Sequence, residues 1–383
     1  MSELPATAEV VVVGGGVIGT SIAFHLAEAG VDVCLLERDQ LAGGSTSRAA
    51  GGFRAQFSDP LNIAIGLHSI EAFTRFGERP GAEIDLRQVG YLFLLDREED
   101  VTSFEASVKL QNELGVPSQF VDLDEVARLC PVAGLDGVVA ATYCALDGHA
   151  SPEAVVQGYA AGARGHGAFV LTGCAVAGIV TESGRIRAVE TALGTIETDT
   201  VVCAAGVWSP ELARSVEIDL PVVPYLREVG FTGPTPGLPD HLPLTVDFSS
   251  GLYFHREGPG LLFGMADRKQ PPGLDAPSDP AWLEHVMEVA ERRLPALLDM
   301  GIAGGWKGYY EVTPDHNALV GESSEVSRFL YATGFSGHGF LQGPAVGEIV
   351  RDLVLGAEPF VDVSPLSADR FAHAVPRPER NVI

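Results

Sequence analysis

The stretch Val10-Val11-Val12-Val13-Gly14-Gly15-Gly16-Val17-Ile18-Gly19 leaves this chain few ways to begin its fold. Four β-branched residues in a row read as a buried parallel strand, and glycines at 14, 16 and 19 follow the G-x-G-x-x-G spacing of a strand that turns directly into a helix. Gly14 permits the tight turn, Gly16 lets the backbone approach a pyrophosphate, and Gly19 lets the helix pack close to the strand. Phosphates then meet the positive helix end at Val17 and Ile18. Ile18, Ile22, Leu26 and Ala29 recur at helical steps, Gly30 stops the helix, and residues 31–36 form a second strand. Glu37, followed by Arg38, ends it. The Glu37 carboxylate is placed to accept from ribose hydroxyls and would repel a 2′-phosphate. These parts together predict an adenine-dinucleotide βαβ unit and leave FAD and NAD both open.

A chain of 383 residues with 46% hydrophobic content has room for two domains and a large core. Its 51 acidic and 25 basic residues repel a phosphate backbone or an anionic bilayer, so nucleic-acid and membrane partners are not expected. Five cysteines without C-x-x-C spacing read as small buried hydrophobes of a reducing compartment, and no metal site is expected. With no basic leader and no long apolar run, the expected location is the cytoplasm.

Beyond Glu37, residues 44–54 form a loop of small residues, Gly-Ser-Thr-Ser-Arg-Ala-Ala-Gly-Gly-Phe-Arg. Ser45, Thr46, Ser47, Ala50, Gly51 and Gly52 suit close packing on a cofactor, with Arg48 serving its phosphates or ring. Helices are predicted at 60–76, 98–114, 152–165, 280–294 and 344–355, the last with Pro344 in its first turn. A meander from Ala175 and Val176 ends in a strand whose small residues Ala204, Ala205 and Gly206 precede Trp208. Two excursions, 84–145 and 216–310, depart from the nucleotide domain, which takes 1–83, 146–215 and 311–383. A glycine loop containing Gly334, Gly337, His338, Gly339, Phe340 and Leu341 feeds the last helix and offers its N–H groups to negative charge.

In this order, Gly14 to Glu37, the 44–51 loop, Ala-Ala-Gly-Val-Trp-Ser at 204–209, Thr313-Pro314-Asp315 and Gly-Phe-Ser-Gly-His-Gly-Phe at 334–340 resemble the glycine oxidase and D-amino-acid oxidase (DAO) family. The resemblance is nearest to its sarcosine-oxidase-like branch and runs over essentially the whole chain. It implies an α/β (α+β overall) fold, with a Rossmann-like FAD domain built from discontinuous segments and a substrate domain with a mainly antiparallel sheet. It also implies FAD and oxidation of an amine carbon next to a carboxylate. Family members that tether flavin use a cysteine where this chain has Gly308, or a histidine where it has Arg48, so noncovalent FAD is expected. Lysines that bind carboxylate or activate oxygen in the sarcosine oxidases correspond to Leu341 and Leu262. Fast use of oxygen is therefore in question unless His338 or Lys307 substitutes.

The expected reaction passes a hydride from an amino acid or a secondary amine, N-alkyl or cyclic, to flavin N5. Reoxidation is by oxygen or a protein acceptor. Arg54 is the candidate partner of the substrate carboxylate, and backbone N–H groups around His338 the candidate stabilisers of reduced flavin. Tyr253 and Tyr310, with Tyr225 and Trp306, are candidate pocket walls, and Arg256 is a second candidate for the carboxylate. A flavin-carrying subunit of a larger dehydrogenase and a nicotinamide dehydrogenase are the alternatives, and an oligomer is compatible with either.

Overall fold

The computed structural model describes residues 4–267, 269–373 and 377–382. Val10–Val13 is a wholly buried strand, because parallel pairing to Val33–Leu36 and Thr200–Cys203 leaves neither face in water. Six strands form this sheet, in the order Leu319–Glu322, Phe329–Thr333, Thr200–Cys203, Val10–Val13, Val33–Leu36 and Phe169–Leu171. Only the first pair is antiparallel.

The helix after Gly16 runs from Val17 to Glu28. Its apolar spacing predicts one buried face, yet the structure buries every residue from Val17 to Ala27. The reason is a second layer. Helices Pro152–Gly165 and Gly339–Leu355 pack over its outer side, and a Cβ on Gly347 would overlap Ser21. Glycine at 347 thus sets how closely the two helices cross.

Polar residues that this layer traps are paired. Glu348 accepts from His68 Nε2 at 3.0 Å and from Arg79 Nη1 at 2.7 Å, with His25 Nε2 at 3.5 Å. Hydrogen bonds from the two histidines and Arg79 hold the Glu348 carboxyl well below the usual carboxylate range.

The excursions join in one eight-stranded sheet, ordered Ile302–Val312, Val223–Thr232, Gly260–Met265, Leu252–Glu257, Leu244–Asp247, Tyr91–Leu95, Ala140–Cys144 and Gln119–Val121. It is antiparallel except where Tyr91–Leu95 meets Leu244–Asp247. That parallel seam joins the first excursion to the second. Helices Leu123–Leu129 and Trp282–Arg293 cover one face, burying Leu92, Leu94, Phe254 and Phe263.

Two expectations are corrected. The last helix begins at Gly339, with His338 as its N-cap, so Pro344 lies inside it and not in its first turn. Gly339 reads as loop in sequence but opens the helix, and Gly343 lets the helix pack closely on Val17. No helix among the described residues is long and apolar enough to cross a membrane. All five cysteines are buried and unbridged.

Candidate functional site

One cavity runs from Glu37, at the edge of the six-stranded sheet, to Tyr253 in the eight-stranded sheet. At its first end Gly14 adopts φ +117°, and a Cβ there would overlap the Ala204 carbonyl. Ala204 and Ala205 follow the neighbouring strand and line the same end of the cavity. Glu37 is held rigidly: Gly15 N–H donates to its Oε2 at 2.7 Å and Asp39 N–H to its Oε1 at 2.8 Å. Arg38 stacks 3.6 Å from the Trp208 ring centroid. Thr46 Oγ1 accepts from Val17 N–H at 3.1 Å, tying the small-residue loop to the helix start.

Strand Ile302–Val312 clamps that loop from the other side. Ser45 Oγ donates to the Tyr309 carbonyl at 2.8 Å, and Trp306 Nε1 donates to the Arg48 carbonyl at 3.0 Å. Glycine at 308 leaves room for Arg48 directly above it. His255, from the next sheet strand but two, places Nε2 2.9 Å from the Ala50 carbonyl.

At the far end Arg54 is only 2% exposed. Its Nη1 donates to the Gln56 carbonyl, its Nη2 donates to the Asn381 carbonyl at 2.5 Å, and His338 Nε2 lies 3.3 Å from Nη2. Phe57 lies under the guanidinium at 4.1 Å. Among the described residues no carboxylate hydrogen-bonds or ion-pairs with Arg54. A buried cation so placed costs several kcal/mol of desolvation, of order, unless an anion reaches it. Burial first, and then Arg54, push the His338 pKa well below its ordinary value, so the ring is neutral. Neutral Nε2 accepts from the guanidinium.

Tyr91, Tyr253 and Tyr310 complete this end, their hydroxyls pushed up by burial and held as phenols. Tyr310 packs on Gly337, where a Cβ would lie 2.5 Å from the ring. Beside it the half-buried Glu311 accepts from Thr333 Oγ1 at 2.9 Å. Burial among neutral donors moves its pKa up to about 7.

The cavity brings together Gly14, Gly16, Val17, Ile18, Glu37, Arg38, Ser45, Thr46, Arg48, Ala50, Gly51 and Gly52, with Ala175, Val176, Ala205, Gly206 and Trp208. Arg54, Tyr253, Tyr310 and the loop from Gly337 to Leu341 line it too. Gly19, Ser47 and Gly334 do not. A Cβ on Gly19 would overlap the Gly14 carbonyl, Ser47 N–H is spent on Ala42, and Gly334 packs on Thr313, so these three shape the wall from behind. Tyr225 and Trp306 also lie outside the lining. Arg256 bonds Asp240 at 2.7 Å, Lys307 faces Glu228, and Leu262 is buried in its strand; none reaches the cavity.

Sequence reading missed Tyr91, Arg227 and Glu311. Arg227 had a usable signal: in an alternating strand it shares a face with Val229, and both line the cavity. Tyr91 starts a strand so apolar that it reads as plain core. The residues present fit FAD. Gly14 forms a cradle that a side chain would fill, a helix N-terminus faces the cavity, and Glu37 is oriented at the strand end where a ribose belongs.

A family model described as FAD dependent oxidoreductase (DAO) matches residues 9–353. The chain is 29% identical over 385 residues to mitochondrial dimethylglycine dehydrogenase of Mus musculus, covering 95% of this chain and 44% of that protein. It thus spans less than half the length of that relative. It is 32% identical over 428 residues to FAD-dependent oxidoreductase domain-containing protein 1 of Xenopus laevis, covering 99% and 85%. The crystal structure of L-proline dehydrogenase from P. horikoshii superposes with a TM-score of 0.90 at 31% identity, covering 96% of this chain and 99% of that one. With its dinucleotide turn, its divided sheets and a match along most of its length, the chain belongs to the DAO family of FAD-dependent oxidoreductases.

Proposed function

We propose that the protein oxidises the C–N bond of an amino acid or an N-alkyl or cyclic amino acid to an imine, using noncovalently bound FAD. One observation carries this reading: Arg54 is a buried cation in the wall of the cofactor cavity, with two carbonyls and a neutral histidine as partners and, among the described residues, no carboxylate bonded to it. An α-carboxylate supplies the missing anion.

Bound FAD supplies a two-electron acceptor. Arg54 holds the carboxylate and so fixes the Cα–H direction, while neutral His338 and the Asn381 carbonyl fix Arg54. The α-hydrogen leaves with two electrons, the amine proton goes to water, and C=N forms; water then hydrolyses the imine. Tyr91, Tyr253 and Tyr310 narrow the cavity and exclude solvent. The helix starting at Gly339 directs its first N–H groups into the cavity, where they favour negative charge. Gly308 and Arg48 stand where the tethering cysteine or histidine of relatives would stand, which supports noncovalent binding.

Anaerobic mixing of the FAD-loaded protein with a panel of glycine, N-methyl and cyclic amino acids tests the reading. Bleaching of the flavin absorbance by members with a free carboxylate, and not by their amides, is the expected result. A panel in which no amine bleaches the flavin overturns it.

A further inference from the structure

The far end of the cavity holds a second guanidinium that the proposed reaction does not use. Arg227 lies on strand Val223–Thr232, half-buried and facing the cavity. Its Nη1 donates to the Leu226 carbonyl at 2.9 Å, and its Nε is buried with no hydrogen-bond partner. Its central carbon lies 5.1 Å from the Tyr310 ring centroid and 5.6 Å from that of Tyr225. Aromatic faces hold the cation in place without neutralising it.

Nearby carboxylates are engaged elsewhere. Glu228, next in the strand, points to the opposite face and pairs with Lys307 at 3.5 Å. Glu311 is bonded by neutral donors from Thr333 and the 334–335 backbone. Among the described residues none forms an ion pair with Arg227. Arg54, Arg227 and Tyr310 all line the one cavity, and Arg227 lies over the Tyr310 ring. A substrate with a neutral amine and a single carboxylate satisfies only one of them. Arg227 Nε would then stay desolvated and unbonded, a cost that a second anion removes.

We propose that the substrate carries two carboxylates, the α-carboxylate on Arg54 and the other on Arg227, as in N-alkyl acidic amino acids and N-carboxyalkyl amino acids. This rests on the amine oxidation proposed above and narrows its substrate class.

Matched pairs that differ by one charge test it: N-methyl-L-glutamate against N-methyl-L-glutamine, and N-(carboxymethyl)glycine against its monoamide. Flavin reduction is followed anaerobically. Binding is read separately from the flavin spectrum with the unreactive thioethers thiodiacetate and (methylthio)acetate. The expected result is a KM at least tenfold lower for the dicarboxylate of a pair, tighter binding of thiodiacetate, and collapse of both ratios toward one in Arg227→Gln. Equal constants within each pair, or ratios that survive Arg227→Gln, overturn the two-carboxylate inference while amine oxidation stands. A protein that no amino acid reduces overturns both.

Discussion

Gly308 and Arg48 occupy the same space at the edge of the cofactor cavity: a Cβ at residue 308 would overlap the Arg48 side chain. The family resemblance places flavin-tethering residues at these two positions, and the packing of one on the other makes each residue here depend on its neighbour. Arg48 needs a glycine beneath it, and a cysteine at 308 could form only by pushing the 45–48 loop away from Tyr309 and Trp306. Gly308→Ala is therefore expected to weaken FAD binding by about 1–3 kcal/mol, the usual cost of overpacking, or roughly 5- to 150-fold in Kd. Fluorescence titration of the apoprotein measures it. Acid precipitation of the wild-type protein is expected to release all of its flavin to the supernatant.

Arg54 is expected to control substrate affinity through its charge and its fork. Hydrogen bonds to charged groups contribute about 1.5–3 kcal/mol, so Arg54→Met raises KM by roughly 10- to 150-fold. Arg54→Lys keeps the charge but cannot bond the Gln56 and Asn381 carbonyls and a substrate together, and it recovers only part of that loss. Steady-state kinetics with a dye acceptor, at a temperature where circular dichroism shows all variants folded, decides the point. An unchanged KM in both variants removes Arg54 from substrate binding.

What was legible in the sequence was whatever the backbone dictates. Gly14 to Glu37 announces its strand, turn and helix because each glycine answers a steric demand that is nearly local. Thr313-Pro314-Asp315 was legible as a motif but not as an object. In the fold it is a clamp, with Thr313 Oγ1 donating to the Asn317 carbonyl at 2.7 Å and Asp315 paired with Arg370 at 2.8 Å. Arg227 and Tyr91 escaped because their importance comes from strand order. Residues 91 and 227 reach one cavity only through the parallel seam between Tyr91–Leu95 and Leu244–Asp247, a long-range pairing without local signature. Lys307 and Arg256 carried suggestive charges, yet their surface partners absorb them.

Two carboxyls, the buried Asp147 and the half-buried Glu311, make stability depend on pH. Asp147 accepts from Ala55 N–H at 2.9 Å and Gln56 Nε2 at 3.0 Å, and Glu311 accepts from Thr333; burial moves each pKa up to about 7. Each folded pKa lies above its unfolded value, so the folded state favours the protonated acid. Their stabilising contribution is complete below about pH 4 and is lost as pH rises to about 7, on the order of 3 kcal/mol per group. Glu348, held low by His25, His68 and Arg79, acts oppositely, and its contribution is lost as pH falls below the carboxylate range. The apoprotein's melting temperature is expected to fall between pH 5 and 8, and Glu311→Gln is expected to flatten that fall. A slope unchanged by the substitution would show that Glu311 does not titrate there.

The electron acceptor is the last expectation the cavity supports. The chain contains three lysines, 109, 269 and 307, and none lines the cavity. Lys307 is turned toward Glu228 and His338 is neutral, so neither supplies the compact ammonium that would favour one-electron transfer to oxygen. The cations that do line the cavity are guanidiniums. Their charge is spread over three nitrogens, and under the proposed reaction a carboxylate product would neutralise Arg54 while bound. Reduced protein is therefore expected to recover its absorbance at least about tenfold more slowly in air-saturated buffer than with an equal concentration of a quinone or phenazine dye. Stopped-flow mixing of substrate-reduced protein with each acceptor measures the ratio. Equal or faster recovery with oxygen would assign the protein as an oxidase, with an arginine in the role that a lysine was expected to fill.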